Sequence, residues 1–340
     1  MRWMSRTFPP IVALACLAAA PFAVASRSSG SAPVVVRVDH HTHLNSPAIQ
    51  AFLPDFCRSV ARFGKCDPAL TTPQTPADLL AAMDKAGIRR ALVLSTAYLA
   101  ESPMVNPPRA DAVDLMRAAN DWTVQLARDH PGRFRAFISV DPLRATALPE
   151  IARWKGNSAV TGLKLHLTSS GVDLRRDRDV AALKKVFAAA ATNHWAIVIH
   201  LRTQRGDYGA ADVRRFVDEV LPAAAGTPVQ IAHVGGWSGI DPPTLAALGA
   251  FADAIEAKPA NFCHVWFDLS GVWTDKTPLA DRQAIVALIR RIGLRHFLAG
   301  SDWPYGGTDL ADYYGRVYPE LPLTPREWAV IRRNVAPYAR

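Results

Sequence analysis

The chain has 340 residues, 49% of them hydrophobic and 20% charged, and a formal net charge of +9. It is too long for a small module and typical of one large barrel or two ordinary domains. The basic residues are scattered rather than massed, which describes a solvated surface and speaks against nucleic acid as a partner, since that footprint needs clustered charge.

The chain opens with Arg2 and Arg6, runs through an apolar stretch and reaches Ala23-Val24-Ala25. Basic, apolar and small-x-small segments in that order are those of a secretory signal peptide, with cleavage expected after Ala25. An uncleaved anchor is the rival reading, but Pro9, Pro10 and Pro21 interrupt the run, which is short for the ~20 apolar residues that span a bilayer. A lipoprotein signal at Leu14-Ala15-Cys16 is weaker still, because the apolar run continues past Cys16. Residues 26–340 then form one domain of a periplasmic or secreted protein without a stable membrane anchor, beginning with a Ser-rich joint at Ser26–Ser31. Loss of Arg2 and Arg6 takes the net charge from +9 to +7. Among the remaining cysteines, Cys57 and Cys66 can close a short loop in an oxidising compartment, and Cys263 is left over as a small residue ahead of a strand.

Short apolar, β-branched runs recur at Val34–Leu44, Ala91–Ala97, Phe134–Val140, Gly162–Leu167, Ala196–Arg202, Val229–Gly235, Val265–Val272 and Phe297–Trp303. Amphipathic stretches of helical period lie between them, at Ala77–Ala86, Asp111–Asp129, Val180–Thr192, Ala210–Leu221, Thr244–Ala257 and Leu279–Ile292. This alternation predicts an α/β fold with a parallel sheet and helices packed outside, and roughly eight strands is the number that closes a (β/α)8 TIM barrel. An open doubly wound sheet would normally announce a Gly-rich phosphate turn after the first strand, and none is there. The stretch from Asn45 to Pro76 carries several prolines and the Cys57/Cys66 pair directly after the first strand, where barrel enzymes place loops that cover the site. Thr308–Arg340 is expected to hold one or two terminal helices and no further domain.

In the first strand, Asp39, His41 and His43 occupy alternate positions, so a period of two aims them at one face and Val38 and His40 at the other. Two imidazoles so spaced can grip one metal ion, although an isolated His-x-His is as often ordinary polar surface. In the fourth strand, Lys164 and His166 share the face opposite Leu163, Leu165 and Leu167 and should look into the barrel mouth. The fifth run is apolar until His200 and the sixth until His233, where a buried histidine bonded to the backbone is the ordinary alternative. Arg202, two residues beyond His200, suits a substrate carboxylate or stands as a surface arginine at a loop start. The eighth run ends Gly300-Ser301-Asp302, which puts a carboxylate beside two small residues, and Asp is seldom buried unpaired. Histidines and an aspartate at four strand ends form the ligand pattern of zinc or a similar ion. Trp237 and Trp303 either line the pocket or pack in the core.

The strings Asp39-His40-His41-Thr42-His43, Gly162-Leu163-Lys164-Leu165-His166, the strand-end His200, Ile231-Ala232-His233-Val234-Gly235-Gly236 and Gly300-Ser301-Asp302-Trp303-Pro304 resemble the amidohydrolase superfamily. More narrowly they resemble the branch that contains aminocarboxymuconate-semialdehyde decarboxylase and related lactone and amide hydrolases. Asp129-His130-Pro131-Gly132-Arg133-Phe134 and Phe267-Asp268-Leu269-Ser270-Gly271 are also phrases of that branch, so the likeness covers nearly all of residues 26–340. It implies that His41, His43, His200 and Asp302 bind a divalent metal, most simply one Zn2+, and that His233 is a catalytic histidine beside it. Such an ion lowers the pKa of water toward ~7. Asp302 can then take the proton and pass it to the leaving group, while His233 polarises the scissile carbonyl or stabilises the oxyanion. Asp39 is read as support for the ligands rather than one of them. In binuclear members of the superfamily a lysine of the fourth strand is carbamylated and bridges two metals. The branch favours a single metal, which leaves Lys164 as a cationic substrate or supporting group, with His166 and Arg202, for an acidic small molecule.

The leading expectation is hydrolysis of a small amide, ester or lactone. The runner-up is non-oxidative decarboxylation of an aromatic or unsaturated acid, which relatives on this scaffold perform with the same metal shell; His-x-His on the first strand mildly favours hydrolysis over decarboxylases that carry Glu-x-His. A catalytically silent barrel that only binds a ligand should have lost a strand-end ligand, and none is missing. The partner expected is a small molecule, with a homo-oligomer left open.

Overall fold

Alternating strands and amphipathic helices give an eight-stranded sheet whose strand order is the order of the chain. The computed structural model describes residues 35–62, 64–237 and 239–340; the expected signal peptide and the joint at Ser26–Ser31 lie outside the described residues. In chain order the elements are β1 (Val38–Thr42), α1 (Pro47–Val60), α2 (Pro68–Thr71), α3 (Pro76–Ala86), β2 (Arg90–Leu94), α4 (Ala112–Asp129), β3 (Phe134–Ser139), α5 (Ala147–Arg153), β4 (Val160–His166) and α6 (Asp177–Thr192). There follow β5 (Ala196–His200), α7 (Ala210–Arg215), β6 (Val229–Ile231), α8 (Pro242–Ala257), β7 (Val265–Asp268), α9 (Leu279–Ile292), β8 (Phe297–Leu298), α10 (Leu310–Asp312) and α11 (Pro325–Arg333). Neighbouring strands pair in parallel from β1 to β8. The ring closes because His40 N donates to Ala299 O (3.0 Å), Asp302 N to His41 O (2.8 Å) and His43 N to Trp303 O (2.6 Å). The fold is the expected (β/α)8 TIM barrel, with helices outside the strands.

Outward-facing Leu163, Leu165, Ile197, Ile199 and Ile231 join helix residues such as Leu183, Phe187 and Phe251 in the main core. Inside the barrel, Val38, Leu92, Leu94, Phe137, Val198 and Leu298 cluster with Ala336 and Ala339, so the C-terminal tail plugs the ring. Gly162 makes room for that layer: a Cβ there would sit 2.2 Å from Phe137 Cε1. No helix among the described residues is long and apolar enough to cross a membrane.

Three expectations change. The β1–β2 register slips by one residue between Asp39 and Thr42. This bulge breaks the strict alternation expected from Asp39 to His43, so Val38 joins the barrel interior while His43 lines the mouth and His41 lies buried against it. The sixth run stops at Ile231 because His233 and Val234 turn into the left-handed region at φ 52° and 51°. The stretch after the first strand contains α1, which Ser46 caps by accepting from Ile49 N, and which buries Ile49, Phe52, Leu53, Phe56 and Val60 despite Pro54 in its middle. Pro47 at its first turn gives up no helical hydrogen bond.

Candidate active site

The floor of the site is the β1 pair. His41 donates from Nδ1 to Asp268 Oδ2 (2.9 Å) and His43 from Nδ1 to Leu94 O (2.8 Å). A carbonyl and an ionised carboxylate only accept, so these partners fix the hydrogen of each neutral ring on Nδ1 and leave Nε2 as a lone pair. The two Nε2 atoms face each other at 3.1 Å, and Asp302 Oδ1 stands 3.4 Å from both. Burial, with Lys164 close by, pushes His41 down to about 3, and burial also lowers His43. A proton is therefore a poor occupant of the gap near neutral pH. Two imidazole lone pairs and a carboxylate converging on one point are the donor set of a divalent cation.

The carboxylate arrives from the turn after β8, with Asp302 itself in left-handed backbone at φ 61°. Small residues are needed around it: a Cβ on Gly306 would sit 2.0 Å from Ser301 O, and one on Gly300 would sit 3.1 Å from His41 Cβ. Burial pushes the Asp302 carboxyl up, but His233, His43 and His41 outweigh it and hold the group well below the ordinary range. His233 comes from the left-handed turn after β6, its Nδ1 donating to Ser270 O at 2.7 Å. One donor atom each of His41, His233 and Asp302 lies within 4.8 Å of the others, so His233 stands close to both His41 and Asp302. Backbone strain at His233, Val234 and Asp302 is of the kind that gathers at functional sites.

At the end of β5, His200 stacks on His166 (centroids 3.9 Å apart, planes 7° apart) and meets His233 edge-on at 5.2 Å. Its Nε2 is buried with no hydrogen-bond partner among the described residues, which is what a ligand atom looks like without its ion. His166 differs. Its Nδ1 accepts from Ser169 N at 3.2 Å, so its hydrogen sits on Nε2 and the ring offers the cavity a donor. Lys164 is buried with Nζ 3.4 Å from His41 Nε2, and burial lowers it to about 8 against the attraction of Asp268 and Asp302.

Asp268, at the end of β7, organises the centre although the sequence offered it only as part of a familiar phrase. Oδ2 accepts from His41 Nδ1 and Gln230 Nε2 (2.6 Å), and Oδ1 from His233 N (3.0 Å) and Ser270 Oγ (2.5 Å). Burial would raise it, but His41 and these donors hold it far below the usual carboxylate range. The available signal was the burial of a strand carboxylate, which requires several donors. Asp39 ties two stretches of backbone together. Its Oδ1 accepts from His41 N (3.1 Å) and Ser301 N (3.0 Å), bracketing the strand that carries the histidines to the turn that carries Asp302.

A cavity of about 770 Å³ opens over this cluster and is lined by His43, Lys164, His166, His200, His233 and Asp302 below, with Val60, Cys66, Leu70, Met104, Trp237 and Trp273 on its walls. Arg202 is not among the lining residues; its Nη1 binds both oxygens of Asp241 at 2.9 and 2.7 Å. Trp237 stands half exposed at the mouth against His200, whereas Trp303 is fully buried and donates to Thr308 O. A separate groove of about 550 Å³ beside α1 has its charges paired with one another, Arg109 with Asp111 and Arg58 with Asp55.

Comparison with known proteins agrees with this architecture. No curated relative matches the chain. Among solved structures it is similar to the 5-carboxyvanillate decarboxylase of Sphingomonas paucimobilis (17% identity, TM-score 0.59, covering 88% of this chain and 97% of that one). An amidohydrolase of Burkholderia multivorans with bound zinc is similar at 15% identity and TM-score 0.54, covering 88% and 96%. A candidate 2-pyrone-4,6-dicarboxylic acid hydrolase of Pseudomonas putida is similar at 18% identity and TM-score 0.53, covering 87% and 94%. At these identities the likeness is one of fold. The sequence model of the Amidohydro_2 family, described as amidohydrolase, matches residues 38–324. With that match over most of its length, the chain belongs to the Amidohydro_2 family of amidohydrolases.

Proposed function

We propose that this enzyme hydrolyses a small organic amide, ester or lactone with the help of one divalent metal, zinc in the first instance. The observation that carries the reading is the pair of opposed Nε2 lone pairs on His41 and His43, 3.1 Å apart beneath the Asp302 carboxylate. His41, His43, Asp302 and the unpartnered Nε2 of His200 would hold the ion, with His233 close to His41 and Asp302. When bound, the metal supplies Lewis acidity, lowering the pKa of water and polarising a carbonyl. Asp302, kept ionised, accepts the proton of the attacking water and returns it to the leaving group. Ser270 O orients His233 by accepting from Nδ1, so it is as the imidazolium, with a second hydrogen on Nε2, that His233 donates to the developing oxyanion. Lys164 and His166 face the cavity as a cation and a donor for an acidic substrate, while Arg202 is engaged by Asp241 and does not line the cavity.

Non-oxidative decarboxylation of an aromatic or unsaturated acid is the second reading. It is favoured by the similarity to a decarboxylase of that kind and by a buried cation beside the metal ligands. The two separate in one experiment: purified protein of known metal content is offered lactones, amides and aromatic acids. Hydrolysis consumes water and yields an acid with an alcohol or amine, whereas decarboxylation releases carbon dioxide and leaves a proton on the carbon. Turnover of neither class in the metal-loaded protein rejects both readings.

The compartment is part of the proposal. The leader pattern of residues 1–25 and the disulfide between Cys57 and Cys66 support export to the periplasm or beyond, with a small molecule as the partner. Recovery of periplasmic protein that still begins at Met1 rejects cleavage of the leader.

A further inference from the structure

A chain of hydrogen bonds, buried beyond its first link, leads from the C-terminal tail to the proposed metal site. Tyr338 Oη donates to Gln230 Oε1 at 2.6 Å, Gln230 Nε2 donates to Asp268 Oδ2 at 2.6 Å, and the same Oδ2 accepts from His41 Nδ1 at 2.9 Å. The second hydrogen of the Gln230 amide goes to His40 O at 3.0 Å. Gln230 and Asp268 are fully buried and cannot turn to water, while Tyr338 is half-buried. The amide has one workable orientation: reversed, it would set its carbonyl oxygen against a carboxylate and a backbone carbonyl. The Tyr338 ring meanwhile packs edge-on to Phe137 and Trp266, and the tail around it is pinned by Ala336 N on His40 Nε2 (3.3 Å) and by Arg90 on Ala339 O (2.7 Å).

We propose that Tyr338 is a positioning residue for the metal ligand His41, acting through Gln230 and Asp268 from the opposite end of the barrel. The inference rests on the metal reading above and adds to it a dependence on the last few residues of the chain. Loss of the phenol hydroxyl leaves Gln230 Oε1 buried without its donor. The amide keeps its orientation but is anchored from one side only, so its hydrogen bond to Asp268 Oδ2, and with it the carboxylate that aims His41 Nε2 at the ion, is held less firmly. Partners one step behind a ligand govern metal affinity by about 10–100-fold.

The test is metal affinity rather than turnover, read by competition between metal-free protein and a chromogenic zinc chelator. Tyr338→Phe keeps the ring and removes only the hydroxyl, and it should weaken zinc binding about tenfold. Gln230→Met, which cuts the chain in the middle, should weaken it at least as much, and the double variant should be no weaker than Gln230→Met alone. KM at saturating zinc should stay near that of the wild type, because the cavity walls are untouched. Unchanged affinity in Tyr338→Phe with a lowered melting temperature makes the tail merely structural and overturns the proposal, as do additive losses in the double variant. Should Tyr338→Phe fail to fold, wild-type affinity in Gln230→Met overturns it instead. A wild type that binds no metal overturns the metal reading and this inference together, which separates the two failures.

Discussion

Asp302 and His233 stand on the same cluster but owe it different things, and single substitutions tell them apart. Asp302→Asn keeps an amide oxygen that can still touch an ion but has lost its base. Turnover should fall by about 10²–10⁴ while part of the metal remains, as measured by kcat beside metal content. His233→Ala should retain metal and lose turnover on the same scale if one ion is bound; a variant that empties one of two metal sites would make Lys164 the bridge. Asp141, just beyond β3, carries a stability prediction away from the chemistry. It is buried, accepts from Leu143 N at 2.9 Å, and is pushed up to about 7 by that burial. A carboxyl whose folded pKa is raised favours the fold in its neutral form, fully below about pH 4, and loses that contribution as pH rises through about 7. Asp141→Asn, which imitates the neutral acid, should therefore be the more stable protein at pH 8, on the order of 2–4 kcal/mol. The gap should vanish at pH 4, and equal melting temperatures at both pH values count against the account. The strand-end His and Asp residues were legible because position at a strand end is a sequence property. The roles of Asp268 and Gln230 were not, because their partners lie 227 and 108 residues away in the chain.

At the scale of elements, helices with clear apolar stripes were read well: the expected Leu279–Ile292 is α9 to the residue. The errors have physical causes. In α1 a central proline hid a helix that tertiary packing stabilises; β6 ends early because the residues after it turn into left-handed backbone to present His233, and β8 stops at Leu298, ahead of the turn that carries Asp302. The one-residue bulge in β1 carries no mark in the sequence pattern. The Cys57–Cys66 pairing was legible from spacing alone, and the disulfide, with Cα atoms 5.6 Å apart, joins α1 to the segment before α2. That segment supplies Lys65 and Cys66 to the cavity wall, and α2 adds Leu70. Replacing both cysteines by serine should cost about 2–3 kcal/mol through the freed loop. KM should rise more than kcat falls, because the wall loosens while the metal ligands stay; steady-state kinetics in which kcat alone changes would contradict that division of labour.

For the molecule as a whole, the barrel was legible because eight apolar runs alternating with helical stretches admit few other arrangements. What the pattern could not give is closure: the C-terminal tail fills one end of the ring, and the walls from α1, α2 and the turns after β6 and β7 roof the other. Between them lie the opposed histidine lone pairs that we propose hold a metal. The measurement that bears on this proposal most directly is the metal content of freshly purified protein, by inductively coupled plasma mass spectrometry, for the wild type and for His41→Ala/His43→Ala. The wild type should carry about one equivalent of divalent metal and the double variant close to none, with circular dichroism unchanged. Equal metal in both proteins, or a wild type that stays empty when zinc is supplied, would contradict the proposal.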